Sequence, residues 1–380
     1  MKIIYINGSR IPTERAHGLQ IMKMCEALTQ FRKNEIELWV PRRFNYVENE
    51  PFEYYGIERN FKIRRFFCID LIPLGRFLGP LALWVTELSF LSAVVFYILR
   101  DKADIIYTRD KFAVFLLSFF KGNIFFETHD IPSRIFFSGF KRARGIIAIT
   151  QGLKNEFIQR GVDAQKIIVA PDGVDLGEFN VSETQRECRK RLNLPLDKKI
   201  VLYTGHLYEW KGVGTLLNAA KFLIFNYQFL NTIFIFVGGT EKDTAEFRKK
   251  AEKLTNIVIV GHKPHSEIPY WLKAADIFAL PNSAKYDISK YWTSPMKLFE
   301  YMASGRPIVA SKLPSIREIL NENNAVFFEP DNPMALARSI GYMLNDMLLA
   351  KRISVQAKLE VESYTWKKRA EKITNFLCLP

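Results

Sequence analysis

The chain has 380 residues, of which 48% are hydrophobic and 25% are charged, and its formal net charge at pH 7 is +14. The length predicts two or three domains, and the composition excludes a mainly disordered chain, a collagen-like repeat and a multi-span membrane protein. Four cysteines lie far apart without a CxxC pair, which favours a reducing, cytosolic setting over a zinc ribbon or a disulfide framework.

Short β-rich runs alternate with helical stretches in the first half of the chain. The runs are rich in Ile, Val, Phe and Tyr with little polar alternation, which is typical of parallel strands buried on both faces. A helix is predicted between the first two runs, because apolar residues recur there every three positions from Leu19 to Leu28. The predicted strands are residues 2–6, 35–40, 104–108, 123–127, 145–149 and 166–170.

One long apolar segment, residues 77–99, lies between Arg76 and Arg100 and contains a single charged residue, Glu87. The segment reaches the length of a membrane-spanning helix, although an ionised carboxylate at mid-span would cost a few kcal/mol. A core helix of a soluble domain is therefore favoured, with a helix on a membrane surface and a true span as open alternatives.

The second half of the chain repeats the alternation, with predicted strands at residues 200–204, 232–237, 257–260, 276–280, 307–310 and 325–328. Two such series predict an α/β protein with two doubly wound parallel sheets. We predict an N-terminal Rossmann-like domain over residues 1–175 and a C-terminal one over 176–360. A final helix over 361–380 carries an apolar stripe of Trp366, Ala370, Ile373 and Leu377.

The loops that follow the strands are the places to look for a ligand, because open α/β sheets bind at the carboxyl ends of their strands. Gly8 follows the first strand, Gly205 and His206 follow the first strand of the second half, and Lys211-Gly212 opens a helix. Small residues there let backbone N–H groups approach a phosphate. The chain has neither GxGxxG after the first strand nor GxxxxGK[ST], which argues against a dinucleotide oxidoreductase and a P-loop NTPase.

The strongest local signal is residues 294–310. Ser294 is a natural N-cap, Pro295 suits the first helical position, and Gly305 ends the predicted helix before a buried strand. The pattern places Leu298, Phe299 and Met302 on the buried side. On this pattern alone the block is an ordinary loop–helix–strand unit with a solvated Glu300.

Several motifs occur together and in order: Arg15-Ala16-His17-Gly18, His129-Asp130, the turn 171–175, the run 203–207 with Lys211-Gly212, the block 294–310 and Tyr364-Thr365-Trp366. Together they resemble glycosyltransferase family 4 along essentially the whole chain. The resemblance implies two Rossmann-like domains facing across a cleft (the GT-B fold), with the C-terminal helix crossing back to the first domain. It also implies retaining transfer of a sugar from a UDP- or GDP-linked donor, with no cofactor and no required metal.

The resemblance implies a role for each matching residue. Glu300 would bind the ribose hydroxyls of the nucleotide, and Lys211 would neutralise the diphosphate as charge builds on the leaving group. His129 would lie near the reacting sugar, so the implied catalytic residues are His129 and Lys211. The implied donor-binding residues are Gly8, Gly205, His206, Lys211, Ser294, Pro295, Met296, Lys297 and Glu300.

Two positions depart from the family pattern. His206 stands where the family usually has an arginine, and Trp292 stands where it has the first glutamate of E-x7-E. Lys297 could supply a second cation or be a surface lysine. These departures leave open a catalytically silent nucleotide-sugar-binding scaffold, and an epimerase of the same fold is a further alternative.

The net positive charge of the chain indicates an anionic partner. Two stretches, residues 134–144 and 64–67, mix basic and aromatic side chains, which suits docking on an anionic membrane, although a solvated helix face is the alternative. No RNP, helix-turn-helix or zinc-finger pattern supports binding to nucleic acid. The sequence therefore predicts a cytoplasmic enzyme, peripheral on the inner face of the membrane, that acts on a saccharide or a lipid-linked acceptor in cell-envelope synthesis.

Overall fold

The computed structural model describes residues 1–224, 231–252 and 254–379. These residues form two compact units: unit 1 comprises Met1–Pro171 with Trp366–Pro380, and unit 2 comprises Asp172–Thr365. The divisions thus lie at Pro171 and Thr365, whereas the sequence predicts divisions at residues 175 and 360.

Each unit is built on one parallel sheet. The strands are β1 (Lys2–Ile6), β2 (Glu35–Pro41), β3 (Lys62–Phe66), β4 (Ile105–Thr108), β5 (Ile124–Thr128), β6 (Gly145–Ala148), β7 (Ile167–Val169), β8 (Lys199–Thr204), β9 (Thr232–Val237), β10 (Ile257–Gly261), β11 (Ile277–Leu280), β12 (Ile308–Ser311) and β13 (Val326–Phe328). Their order is β3-β2-β1-β4-β5-β6-β7 in unit 1 and β10-β9-β8-β11-β12-β13 in unit 2. The predicted fold class, α/β with two Rossmann-like sheets, is confirmed.

Helices connect the strands and cover the sheets. They are α1 (Ala16–Thr29), α2 (Pro51–Tyr55), α3 (Gly75–Leu78), α4 (Pro80–Ile98), α5 (Lys111–Leu117), α6 (Phe137–Arg142), α7 (Gln151–Gln159), α8 (Gln185–Arg191), α9 (Val213–Ile224), α10 (Glu241–Ala251), α11 (Ile268–Ala274), α12 (Asp287–Lys290), α13 (Met296–Ser304), α14 (Pro314–Arg317), α15 (Pro333–Asn345), α16 (Met347–Glu360) and α17 (Trp366–Leu377).

The central strand of each sheet is buried on both faces, which explains its nearly continuous apolar sequence. In β8, Ile200 and Leu202 enter one hydrophobic core of unit 2, and Val201 and Tyr203 enter the other. Successive side chains of a strand point to opposite faces, so both cores need apolar residues from the same strand.

The strand order places the loops that matter for binding. All strands are parallel, but the side of the sheet on which the chain adds its next strand changes between β1 and β4 in unit 1, and between β8 and β11 in unit 2. Ligands of open α/β sheets bind at such switch points, outside the carboxyl ends of the strands. Gly8 follows β1 and Gly205 follows β8, so both predicted glycine loops lie at a switch point.

One strand was not predicted from the sequence. The edge strand β3 pairs with β2, in register from Glu37–Lys62 to Pro41–Phe66. Its sequence, KIRRF, has too few apolar residues to look like a buried strand. An edge strand has a neighbour on one side only, and its exposed positions tolerate charge.

Helix α4 covers most of the apolar segment 77–99 and is buried on one face only. Ala82, Thr86, Phe90, Leu91, Val94 and Ile98 form that face. Much of the remaining surface of α4 is apolar and exposed. The prediction of a core helix therefore holds for one face of α4 and not for the other. In length and composition α4 could cross a membrane, but its buried face packs within unit 1.

The aromatic residues of the basic-aromatic stretch 134–144 belong to the core. Phe136, Phe137 and Phe140 are buried, and Phe140 stacks on Phe126 with ring centroids 4.6 Å apart. The prediction that these rings can insert into a membrane is therefore wrong, because the fold already covers them. The basic side chains, Ile135 and Ser138 remain at the surface there.

The C-terminal helix α17 belongs to unit 1. Its predicted apolar stripe of Trp366, Ala370, Ile373 and Leu377 is buried, and the Phe376 ring lies 5.7 Å from the Phe125 ring. A Cβ at Gly145 would lie 2.6 Å from the Phe376 ring, so a glycine in β6 lets this helix approach the sheet.

Candidate functional site

In unit 2, two glycine loops meet at the carboxyl ends of β8 and β9. Gly205 and Gly238 have φ values of +114° and +122°, which side chains rarely tolerate. A Cβ at Gly238 would overlap the carbonyl group of Gly205, and a Cβ at Gly205 would lie 3.9 Å from the Nζ of Lys297. Because these positions carry no side chain, the backbone at Gly205 lies close to the ammonium group of Lys297.

Lys211 ends a short 3-10 turn just before α9. Gly212 follows with φ +71°, and any side chain at that position would overlap the Pro281 carbonyl oxygen. The turn thus needs a glycine, and this explains the Lys211-Gly212 pair. The Lys211 Nζ lies 3.9 Å from the centroid of the Trp210 ring, and burial lowers the pKa of Lys211 to about 8.

Lys297 is buried, so its interpretation as a surface lysine is wrong. Its Nζ donates a hydrogen bond to the Thr204 carbonyl oxygen at 3.1 Å and lies 3.6 Å from the centroid of the Tyr203 ring. Burial holds the pKa of Lys297 well below its ordinary value, and the positive charge of Lys211 lowers it further. The negative charge of Glu300 partly opposes both effects. Two desolvated lysines thus lie within electrostatic reach of each other.

Glu300 lies in the middle of α13 and is largely buried rather than solvated. Its Oε1 is 3.2 Å from the Nε2 of His265, and the other ring nitrogen of His265 is 3.6 Å from Glu178. His265 is not among the donor-binding residues that the sequence predicts. The structure places it against the carboxylate that was predicted to bind a ribose, because His265 follows β10 and reaches α13.

The remaining predicted donor-binding residues have varied surroundings. The His206 ring stacks on Tyr208 at 4.8 Å between centroids. The Ser294 hydroxyl accepts a hydrogen bond from the Asp172 backbone N–H at 3.0 Å and does not cap a helix. Helix α13 begins at Met296, with Pro295 as its N-cap residue, so both helix positions were predicted one residue too early.

Asn282 was missed by the sequence analysis. It follows β11 at the switch point of unit 2 and is fully buried, and both polar atoms of its side chain lack a hydrogen-bond partner among the described residues. Its backbone N would lie 3.3 Å from a Cβ at Gly212. A buried amide without a partner costs free energy, so Asn282 is a candidate to bind a polar ligand beside Lys211.

No group of three or more His, Cys, Asp or Glu side chains that could hold a metal ion occurs within residues 1–224, 231–252 and 254–379.

In unit 1, Gly8 lies beside two carboxyl groups. A Cβ at Gly8 would lie 2.8 Å from Glu87 Oε2 and 2.9 Å from Asp110 Oδ2. Asp110 also caps α5, since its Oδ1 accepts a hydrogen bond from the Phe112 backbone N–H at 2.8 Å. The pKa of Glu87 is raised to about 8, mainly by burial and also by the negative charge of Asp110. The glycine thus makes room for a carboxyl pair that holds a proton at neutral pH.

This pair predicts a specific pH dependence of stability. The folded state holds the Glu87 proton up to about pH 8, whereas the unfolded chain releases it near the ordinary value of 4.5. Stability should therefore fall as pH rises between these values. We expect Glu87→Gln to raise the melting temperature by a few degrees at pH 8 and to change it little at pH 4.

Thermal unfolding of both proteins at the two pH values measures this effect. Glu48→Gln, at an exposed position in a loop, is the matched control and should behave as wild type at both. A Glu87→Gln protein that gains no stability at pH 8 would show that the pair holds no proton there.

His129 is positioned by Glu127, which precedes it by two residues. The His129 Nε2 lies 2.6 Å from Glu127 Oε1, and the Gln20 amide donates to the same oxygen at 2.7 Å. Glu127 is itself fully buried near the end of β5. The predicted catalytic histidine is thus held by a carboxylate that the sequence analysis assigned only to a buried strand.

Arg369 of α17 compensates the charge of Glu127. Its Nη2 lies 3.0 Å from Glu127 Oε2, both side chains are almost fully buried, and Tyr107 donates a hydrogen bond to the same oxygen. Burial alone would raise the pKa of Glu127, but Arg369, His129 and Arg109 outweigh it and hold that pKa well below its ordinary value. The C-terminal helix therefore supports the His129 site directly.

Comparison with known sequences matches residues 184–360, within unit 2, to the family Glycosyl transferases group 1. TuaC of Bacillus subtilis, named for teichuronic acid biosynthesis, is 28% identical over 211 residues, which is 54% of this chain and 49% of TuaC. A D-inositol 3-phosphate glycosyltransferase of Corynebacterium urealyticum is 24% identical, over 57% of this chain and 52% of that protein. The match thus spans about half the length of these curated relatives.

Among solved structures, the Anabaena protein HepE in complex with UDP has a TM-score of 0.75 at 19% identity, with 99% of both chains covered. HepE has also been solved with UDP-glucose, with a TM-score of 0.74. At this identity the likeness establishes the fold alone, which is that of GT-B glycosyltransferases.

Proposed function

We propose that the protein is a retaining hexosyltransferase that moves a sugar from a nucleotide-sugar donor to a saccharide or lipid-linked acceptor. The observation that carries the proposal is the group of Lys211, Lys297 and Glu300 at the switch point of unit 2. This group lies within the stretch that matches Glycosyl transferases group 1, and HepE, with the same fold, binds UDP and UDP-glucose.

A nucleoside diphosphate fits this group electrostatically. Two desolvated lysines whose pKa values are depressed gain free energy when an anion restores their charge. The bare backbone at Gly205 gives a phosphate room to approach. The carboxylate of Glu300 would accept hydrogen bonds from the ribose hydroxyls, and His265 would hold the carboxylate in place.

Catalysis follows from where charge develops. As the bond from the sugar to the diphosphate breaks, negative charge builds on the leaving phosphate, and Lys211 and Lys297 would stabilise that charge. We assign His129 to the reacting sugar, with its ring orientation set by Glu127. The proposal includes no metal ion and no further cofactor.

The acceptor is proposed to belong to the cell envelope. TuaC, which is 28% identical to 54% of this chain, is named for the biosynthesis of teichuronic acid. The net charge of +14 favours a location beside an anionic surface. We therefore place the enzyme in the cytoplasm, peripheral on the inner face of the membrane.

A thermal-shift screen with UDP-, GDP- and ADP-sugars tests the donor class. A donor at 100 times its dissociation constant should stabilise the protein by about 2.7 kcal/mol. Slow hydrolysis of the stabilising donor distinguishes an enzyme from a silent scaffold, and exchange at C2 of the sugar would reveal an epimerase. A protein that no nucleotide-sugar stabilises would contradict the proposal.

Glu300→Gln should weaken the binding of the free nucleotide about tenfold or more, because a carboxylate accepts two hydroxyl groups more strongly than an amide does. Calorimetric titration of UDP into both proteins measures the difference. Glu246→Gln, an exposed substitution on α10, is the control and should bind UDP as wild type does. Equal affinity in Glu300→Gln and wild type would remove Glu300 from the ribose role.

A further inference from the structure

The outer side of α3 and α4 carries a row of exposed apolar side chains, interrupted by the exposed Ser92. Phe77 is 84% exposed, Leu81 57% and Trp84 48%, and Leu88 and Leu99 follow at helical spacing on the side of α4 that faces away from the buried one. We call these five residues the α3–α4 face. Exposed apolar side chains that are scattered need no explanation, but a row along five turns of helix marks an interaction surface.

The packing of α4 in unit 1 argues against a membrane span. Its inner face is packed, and Glu87 on that side lies beside Asp110 and Gly8. On α4, therefore, a partner can contact only the exposed outer side. A helix with one exposed apolar side lies in the plane of a membrane interface rather than across it.

An arginine lies at each end of the α3–α4 face. Arg76 is exposed next to Phe77, and Arg100 follows the end of α4 with its guanidinium 3.6 Å from the Phe96 ring centroid. The acidic residues of the same stretch are engaged elsewhere. Asp70 pairs with Arg43 at 3.3 Å, Asp101 pairs with Lys2 at 2.8 Å, and Glu87 faces inward.

We propose that the α3–α4 face docks unit 1 on an anionic lipid bilayer, with Phe77, Leu81, Trp84 and Leu88 in the interface and Arg76 and Arg100 among the lipid headgroups. A second copy of the chain fits less well, because a symmetric dimer through this face would bring the same arginines together. The inference rests on the proposed function for its purpose, which is to hold the enzyme beside a lipid-linked acceptor.

This surface replaces the stretch 134–144 as the place of contact. The phenylalanines of that stretch are buried, whereas the apolar side chains of the α3–α4 face are exposed. Binding should have two components: attraction of the arginines, which weakens as the Debye length falls from about 10 Å at 0.1 M salt, and insertion of apolar side chains, which resists salt.

Co-sedimentation of the full-length protein with vesicles tests the proposal. The vesicles contain phosphatidylcholine alone or equal parts of phosphatidylcholine and phosphatidylglycerol. We expect binding to the anionic vesicles at low salt, with a remainder at high salt. Replacing Phe77, Leu81 and Leu88 together by Ser should abolish that remainder, and Arg76→Gln with Arg100→Gln should weaken binding at low salt about 25-fold, or fivefold for each charge.

The matched control replaces Met347, Leu348 and Leu359 of α16 by Ser, because these apolar residues are equally exposed in unit 2. It should bind vesicles as wild type does. Trp84 is a further probe: quenching by brominated lipid should fall in Trp84→Phe. Thermal shifts with UDP, measured on the same variants, report folding and donor binding separately from membrane binding.

Failure of wild type to bind the anionic vesicles, or wild-type binding by the Phe77, Leu81 and Leu88 variant, would overturn the proposal even if UDP still stabilises the protein. A wild-type dimer that this variant converts to a monomer, without vesicle binding, would assign the face to a second copy instead.

Discussion

Lys211→Ala is expected to lower kcat about 100-fold while changing the apparent affinity for the donor much less. The lysine would meet charge that grows as the diphosphate leaves, so its interaction is stronger in the transition state than with bound donor. Steady-state hydrolysis or transfer of the donor sugar measures both constants. Lys242→Ala, an exposed substitution on α10, is the control.

The depressed pKa of Lys211 provides a second readout. In the free enzyme the lysine loses its charge above about pH 8, so kcat/KM of the wild type should decline through that value. The decline should be absent in Lys211→Ala. An unchanged kcat in this variant would exclude Lys211 from neutralising the leaving group.

Breaking the Glu127–Arg369 pair is expected to destabilise unit 1 by about 3–5 kcal/mol. Arg369→Leu leaves the Glu127 carboxylate buried without its main compensating charge, and Glu127→Gln does the same to the guanidinium. The two substitutions together should cost less than the sum of the single ones, because neither charge is then left alone. Hydrogen exchange of the β5 and β6 segments reports the opening of unit 1 by itself.

The control for this experiment is the surface ion pair Arg317–Glu322, which is also short at 2.6 Å. Arg317→Ala should leave exchange unchanged, because solvent screens an exposed pair. Strictly additive losses in Glu127→Gln and Arg369→Leu would show that the two residues are not coupled. Glu127→Gln should also alter the pH profile of kcat, because His129 loses the carboxylate that orients it.

The sequence predicts the elements of the core reliably, because those elements depend on local pattern. The apolar runs at residues 2–6 and 232–237 became β1 and β9 with the same bounds, and Gly305 ends α13 in the left-handed conformation. The strand β3 was not predicted, because it carries charged residues at positions where a central strand is apolar.

The candidate site could be predicted in part. Gly205, Lys211 and Glu300 follow from the loops after the strands and from the family resemblance. His265 and Asn282 could not be predicted in this way, because each reaches the site from a different strand end and neither belongs to a motif. Only the strand order, with β8 between β9 and β11, brings them to the same edge of the sheet.

The sequence by itself determined that the segment 77–99 is apolar and helical and that the stretch 134–144 is basic and aromatic. Only the tertiary structure decided that Phe77 is exposed and Phe140 is buried. Composition sets the free energy that a side chain gains when it leaves water, but distant parts of the chain decide whether anything covers it. The same holds for Glu127, whose partner Arg369 arrives on the last helix of the chain.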